Sequence, residues 1–63
     1  MKIVSFPRQL RPGQEFRITN TTAILRCNLI RPTTTGVWID YTKEDGSSDA
    51  IHLPHNFLIT IWS

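Results

Sequence analysis

The stretch Gly36-Val37-Trp38-Ile39-Asp40-Tyr41-Thr42 alternates between two kinds of side chain. Successive side chains of an extended strand point to opposite faces, so Val37, Ile39 and Tyr41 share one face. Trp38, Asp40 and Thr42 share the other. β-branched and aromatic side chains suit a pleated surface that is half buried. The stretch therefore predicts a central strand whose Val37 face packs on an apolar core.

Five further runs with strand character surround this stretch, and turn signals such as Pro12-Gly13 and Asp45-Gly46 separate them. The runs are 1–6, 15–19, 23–31, 50–53 and 57–62. Short strands separated by turns at this spacing are typical of a small barrel or sandwich. The sequence predicts one all-β domain over residues 1–63. We expect a small barrel of about five to six short antiparallel strands.

Alternation also assigns an inward face to four of these runs. The inward residues are Val4 and Phe6, then Phe16 and Ile18, then Leu25, Cys27 and Leu29, and finally Phe57, Ile59 and Ile61. The run at 23–31 also fits a helix that begins at a cap on Asn20 or Thr21 and ends before Pro32. Threonine-rich flanks and β-like neighbours favour the strand.

The chain is short and carries a single cysteine, Cys27. A domain of this size buries only about 60% of the surface that its unfolded chain exposes. Small domains of oxidising compartments are usually rich in cysteine, so the composition indicates a reducing compartment. The apolar N-terminal run meets Pro7 too early for a signal peptide, and no run is long enough to span a bilayer. We expect a soluble, cytoplasmic protein that gains stability from a partner subunit or from unusually consistent packing.

Charge is distributed unevenly along the chain. Residues 1–31 hold six basic residues against one acidic, whereas residues 32–63 hold one basic residue against four acidic. This asymmetry fits an anionic partner for the basic half or contacts between opposite ends of two copies. It also fits a solvated surface that has no partner.

The segment Leu53-Pro54-His55-Asn56-Phe57-Leu58, with Trp38 and Gly46 upstream of it, resembles the Src-homology-3 family. In that family an aliphatic residue, a proline, any residue, an asparagine, an aromatic and an aliphatic residue form a short 3₁₀ turn before the last strand. The resemblance implies a small β-barrel with a binding groove lined by Trp38, Pro54 and Phe57. Arginines stand where the family has an acidic loop, so an arginine-bearing proline-rich ligand is not implied. These arginines are Arg8, Arg11 and Arg17.

Two classes of partner follow from the predicted surface. Trp38 and Trp62 lie opposite the predicted core face, and large aromatic residues anchor protein interfaces. Together with Pro54 and Phe57 they predict a contact surface for a protein partner, with a homodimer favoured. If the inner and outer faces of the strands are exchanged by a shift of one residue, both tryptophans are instead buried. The alternative partner is nucleic acid, with phosphates bound by four arginines: Arg8, Arg11, Arg17 and Arg26.

Metal binding and catalysis are less favoured by the sequence. Cys27, His52 and His55 are the only thiol and imidazole side chains, one fewer than a structural zinc site needs. A catalytic group of Cys27, His52 and either Asp40 or Asp49 needs a thiol in an electropositive, partly exposed setting, whereas Cys27 is predicted to face the core. We therefore expect no enzyme activity and no metal or other cofactor. We also expect neither a small-molecule substrate nor a membrane partner.

Overall fold

The computed structural model describes residues 1–62, which contain six antiparallel strands and one short 3₁₀ helix. The strands are β1 (Lys2–Ser5), β2 (Glu15–Ile18), β3 (Leu25–Pro32), β4 (Gly36–Thr42), β5 (Ser48–Pro54) and β6 (Ile59–Trp62), and the 3₁₀ helix is Pro7–Gln9. The all-β prediction is confirmed. The run at 23–31 is a strand and not a helix, beginning at Leu25.

The six strands form one open sheet in the order β1-β6-β2-β3-β4-β5. A closed barrel would require β1 to pair with β5, but each of them pairs on one side only. The predicted barrel is therefore wrong. The segment between β1 and β2 explains how an open sheet still buries its apolar face. Its 3₁₀ helix contacts β4, and the following Leu10 enters the core.

The apolar side chains of the sheet face a single core. Its buried members are Leu10, Phe16, Leu25, Cys27, Val37, Ile39, Tyr41, Leu53, Ile59 and Ile61. The Phe16 ring on β2 meets the Tyr41 ring on β4 edge-on, with centroids 6.2 Å apart and ring planes at 85°. β3 lies between these two strands, and two strand spacings amount to about 10 Å in a flat sheet. The contact therefore reflects a sheet that curls around its apolar face.

A β-bulge in β3 overturns one predicted core position. Cys27 lies opposite Tyr41, but Leu29 lies opposite Asp40, so Asn28 is an extra residue in β3. A bulge exchanges the faces of the residues that follow it. Leu29 was predicted to face inward and is instead 49% exposed. Ile30 takes the inward position and packs against the core.

The face of β1 is also opposite to the predicted one. Val4 and Phe6 are exposed, whereas Ser5 is buried and lies opposite Ile59 of β6. The Ser5 hydroxyl donates to the side-chain amide oxygen of Gln9 in the 3₁₀ helix. This hydrogen bond satisfies a buried polar group, which allows serine to take an inward position. Apolar residues stand on both faces of β1, so alternation alone did not define its core side.

Gly36 fixes the approach of β5 to the start of β4. A Cβ atom at this position would lie 2.1 Å from the Leu53 carbonyl oxygen and 2.9 Å from Cε1 of His52. Only glycine allows β4 and β5 to come this close with Gly36 opposite Pro54. This register places Trp38 directly opposite His52.

Two leucines provide a matched test of these packing assignments. Leu10 is 1% exposed within the core, whereas Leu29 is 49% exposed on the bulged strand. We expect Leu10→Ala to lower the free energy of unfolding by about 2–5 kcal/mol. Leu29→Ala should lower it by less than about 1 kcal/mol. Urea denaturation followed by circular dichroism measures both values, and equal losses would contradict the assignment.

Candidate functional site

The four residues predicted to contact a protein partner lie in different settings. Trp38 is 40% exposed on the outer face of β4, the face turned away from the core. Pro54 is exposed and lies diagonally across from Trp38, because Gly36 pairs with Pro54. Phe57 is partly buried and packs against the core. Trp62 is on the outer face of β6, where the Arg17 guanidinium lies 5.9 Å from its ring centroid.

The two tryptophans do not form one patch. β6 and β4 are three strands apart in the sheet, which corresponds to about 14 Å. The cross-strand pairs place Trp62 level with Thr42, four residues along β4 from Trp38, or about 13 Å. The outward direction of both side chains is as predicted, but they belong to separate surfaces.

The four arginines predicted to bind phosphates are also dispersed. Arg17 and Arg26 project from the outer faces of β2 and β3. Arg26 lies opposite Glu15. Arg8 and Arg11 belong to the segment between β1 and β2, which packs over the core and is not part of the sheet. The guanidinium of Arg11 donates to the carbonyl oxygen of Arg8 at 3.3 Å.

One continuous row of rings and cations crosses the outer face of β3, β4 and β5. Trp38 is flanked by Arg31 on β3 and by His52 on β5. The centroids of the Trp38 and His52 rings are 5.3 Å apart. The Arg31 guanidinium bonds to the Asp40 carboxylate at 2.9 Å, while the Arg31 side chain remains 56% exposed. The carboxylate therefore orients a guanidinium that still faces solvent.

The β3–β4 turn links this row to a second histidine. The Thr33 hydroxyl lies 3.1 Å from Nε2 of His52, and Nε2 of His55 lies 3.0 Å from the Thr33 carbonyl oxygen. A carbonyl only accepts, so Nε2 of His55 carries the proton in this tautomer. Thr33 also accepts a hydrogen bond from the Gly36 N–H at 3.0 Å, which closes the turn.

His55 continues the row into a depression of about 250 Å³, which Phe6, Arg8, His55 and Asn56 line. Phe6 is an exposed aromatic residue here. We refer to the whole row as the basic-aromatic ridge, defined by six residues: Arg31, Trp38, His52, His55, Arg8 and Phe6. Strand pairing, the two contacts of Thr33 and the depression thus bring two guanidinium groups and four aromatic rings into one neighbourhood.

Most carboxylates lie far from this ridge. Glu44 and Asp45 lie in the turn between β4 and β5, at the end of the hairpin opposite Thr33. Asp45 accepts hydrogen bonds from the Ser47 hydroxyl at 2.6 Å and the Ser47 N–H at 2.9 Å, which lower the pKa of its carboxyl group. Asp49 lies opposite Tyr41 on β5. Asp40 is the one carboxylate beside the ridge, and Arg31 binds it.

Cys27 does not meet the histidines. It is buried on the inner face of β3, whereas His52 projects from the outer face of β5. The Cys27 thiol and the His52 imidazole, which a zinc site or a catalytic group would have to bring together, are therefore on opposite sides of the sheet. Among residues 1–62, no three histidine, cysteine, aspartate or glutamate side chains group closely enough to hold a metal ion.

Sequence reasoning did not assign a binding role to Arg31 or Phe6, and it considered His55 only as a zinc ligand. The pairing of Arg31 with Trp38 follows from the Thr33–Gly36 turn, since a tight hairpin sets the register of its strands. The proximity of Phe6 and Arg8 to His55 carries no such local signal. It depends on how the segment after β1 packs beside the turn at Pro54.

Comparison of the chain with models of protein families, with curated proteins and with solved structures gives no match. Within residues 1–62, none of the elements is a helix long and apolar enough to cross a membrane. The function of the chain is therefore inferred from its own surface.

The buried thiol predicts a pH dependence of stability. Burial, reinforced by the negative charge of Asp40, raises the pKa of Cys27 from 9.0 to about 11. Between these values the thiol ionises in the unfolded chain and stays protonated in the folded one, so folding stability falls as the pH rises. By pH 11, wild type should lose about 2 kcal/mol more than Cys27→Ala.

Urea denaturation of both proteins at several pH values measures this difference. The subtraction removes the contributions of other groups that titrate in the same range, because both proteins contain them. A parallel pH dependence in the two proteins would show that the thiol ionises equally in both states. As an independent check, a thiol reagent should label native Cys27 slowly at about pH 8 and rapidly in denaturant.

Proposed function

We propose that this chain is a non-enzymatic assembly module that binds a second copy of itself through the free edge of β1. The composition of that edge carries the proposal. β1 pairs with β6 on one side only, so its other side offers backbone N–H and C=O groups to a further strand. Ile3 and Val4 of this strand are 44% and 68% exposed. Pairing with another strand would satisfy the backbone groups and cover these side chains.

The other edge of the sheet has features that discourage pairing. β5 carries Asp49, ends at Pro54 and adjoins the acidic turn at 44–45. Charges and proline on an edge strand oppose the addition of a further strand. β1 contains one charged residue, Lys2, and no proline. The edge formed by β5 therefore carries both proline and nearby negative charge, whereas β1 lacks proline and is the edge to which a further strand can pair.

Symmetry defines how two copies pair. A two-fold axis at Val4 places β1 of one copy antiparallel to β1 of the other and keeps both outer faces on the same side. Val4 of each copy then lies directly opposite Val4 of the second copy. β1 has only four residues, so the interface is small. Interfaces below about 1,200 Å² belong to weak complexes, and we expect a dissociation constant on the order of 0.1 mM.

The sheet is not closed into the barrel that the Src-homology-3 resemblance implied, and the resemblance remains a prediction about the turn before the last strand and about the groove. The Phe57 N–H donates to the Pro54 carbonyl at 3.1 Å, which supports the expected turn before the last strand. The proximity of Trp38 and Pro54 on the outer face supports a groove at that place. Phe57 packs against the core and Trp62 lies on a separate surface, so the residues that would line this groove are Trp38 and Pro54.

Lysine substitution on each edge tests the association. Val4→Lys puts two ammonium groups opposite each other at the two-fold axis, and like charges in a cross-strand pair repel. Sedimentation equilibrium should show the dimer of the wild type at millimolar concentration and a monomer for Val4→Lys. The melting temperature of the wild type should rise with concentration, because association stabilises the folded state by mass action.

Ala50→Lys is the matched control, since Ala50 is an exposed residue of the opposite edge strand. It should dimerise as the wild type does. Loss of the dimer in Ala50→Lys alone would assign association to β5 and overturn the proposal. A wild type that stays monomeric at millimolar concentration would overturn it as well.

A further inference from the structure

We propose that the basic-aromatic ridge binds single-stranded nucleic acid, with one base stacked on Trp38 and another held in the depression beside Phe6. This inference does not depend on association through β1. The surface combines exposed aromatic rings with guanidinium groups along one path, which is how proteins bind unpaired strands without a sequence code. The shared chemistry is that of DNA and RNA single strands, and both are measured as separate ligands.

Trp38 is the stacking residue because its ring remains accessible. The Arg17 guanidinium lies over the Trp62 ring, so that face is already occupied. Trp38 has a tilted contact with His52, at 58° between ring planes, and stays 40% exposed. The hydrogen-bond contact between Thr33 and His52 holds the histidine in place, which gives Trp38 a fixed neighbour. An ordered ring loses little entropy on stacking with a base.

The depression at the far end of the ridge suits a second base. Phe6 offers an aromatic wall, while Arg8 and Asn56 offer hydrogen-bonding groups. Arginine and asparagine side chains are common partners of base edges and phosphates. The hydrogen bond from His55 to Thr33 fixes the fourth side of the depression. The two aromatic positions are thus joined by an ordered set of side chains.

Charge favours an anionic strand over an acidic or neutral peptide as the occupant. Arg31 and Arg8 mark the two ends of the ridge, and the acidic turn lies at the opposite end of the β4–β5 hairpin. Asp40 is the one carboxylate beside the ridge. It orients the Arg31 guanidinium and also lowers the positive potential there. Each phosphate contact should contribute about −0.7 to the slope of log affinity against log salt.

Fluorescence anisotropy with labelled mixed-sequence 12-mers tests the site. We expect single-stranded DNA and RNA to bind at low salt and a duplex of the same sequence to bind more weakly, because its bases are already stacked. Trp38→Ala should weaken binding about 5- to 100-fold, and Trp38→Phe should retain most of it. Arg31→Ala and Arg8→Ala should each reduce the salt slope by about 0.7, and Asp40→Asn should strengthen binding.

Arg26→Ala is the matched control, since Arg26 is an exposed arginine that lies outside the ridge and opposite Glu15, although the sequence alone predicted that it binds phosphates. It should bind single-stranded nucleic acid as tightly as the wild type does. The monomeric Val4→Lys variant should also bind it. Circular dichroism checks that each variant is folded. Absence of binding to both DNA and RNA single strands at low salt overturns the proposal. Equal effects of Arg26→Ala and Arg31→Ala, or a duplex bound as tightly as a single strand, overturn it too.

Discussion

The structure depends on the need of a single sheet to cover its own apolar face. No second sheet or helix layer packs on it within residues 1–62, so the sheet curls until Phe16 on β2 contacts Tyr41 on β4. Leu10, in the segment after β1, packs into the part of the core that the sheet leaves uncovered. The consequence is that the outer face and both edges remain exposed. Trp38 therefore lies on an accessible outer face and β1 on an accessible edge.

Backbone features of the β3–β4–β5 unit determine where the ridge lies. Gly36 lets the Leu53 carbonyl and the His52 ring approach β4 more closely than any side chain would permit. That approach brings His52 within contact of Trp38 and lets Thr33 bridge both histidines. The Thr33–Gly36 turn sets the register of this part of β3 and places Arg31 opposite Trp38. A local backbone feature, the turn on one side and Gly36 on the other, thus positions each flank of the tryptophan.

Local patterns predicted the parts of the structure that local physics controls. β4 alternates so strongly that its core face follows from the residue types alone, and both outward tryptophans follow from the same rule. The bulge did not follow, since Leu29 and Ile30 are both apolar and either could face the core. Leu10 stands among polar and basic residues, so its burial depends on tertiary packing. The ridge was only partly predictable because Phe6 and Arg8 reach His55 through non-local packing.

Phe6 is the physical link between the two proposed surfaces. It follows Ser5, whose side chain ties the end of β1 to the 3₁₀ helix, and its ring lines the depression of the ridge. In a dimer paired through β1, the paired strand of each copy would therefore hold the backbone next to Phe6, which lines the depression of that copy. It would also carry two ridges, and a strand that engages both gains from the high local concentration of the second site. Such a strand would in turn stabilise the dimer by mass action, because only the paired form offers both ridges. A weak interface is sufficient for assembly under this coupling, which is consistent with an association edge of only four residues.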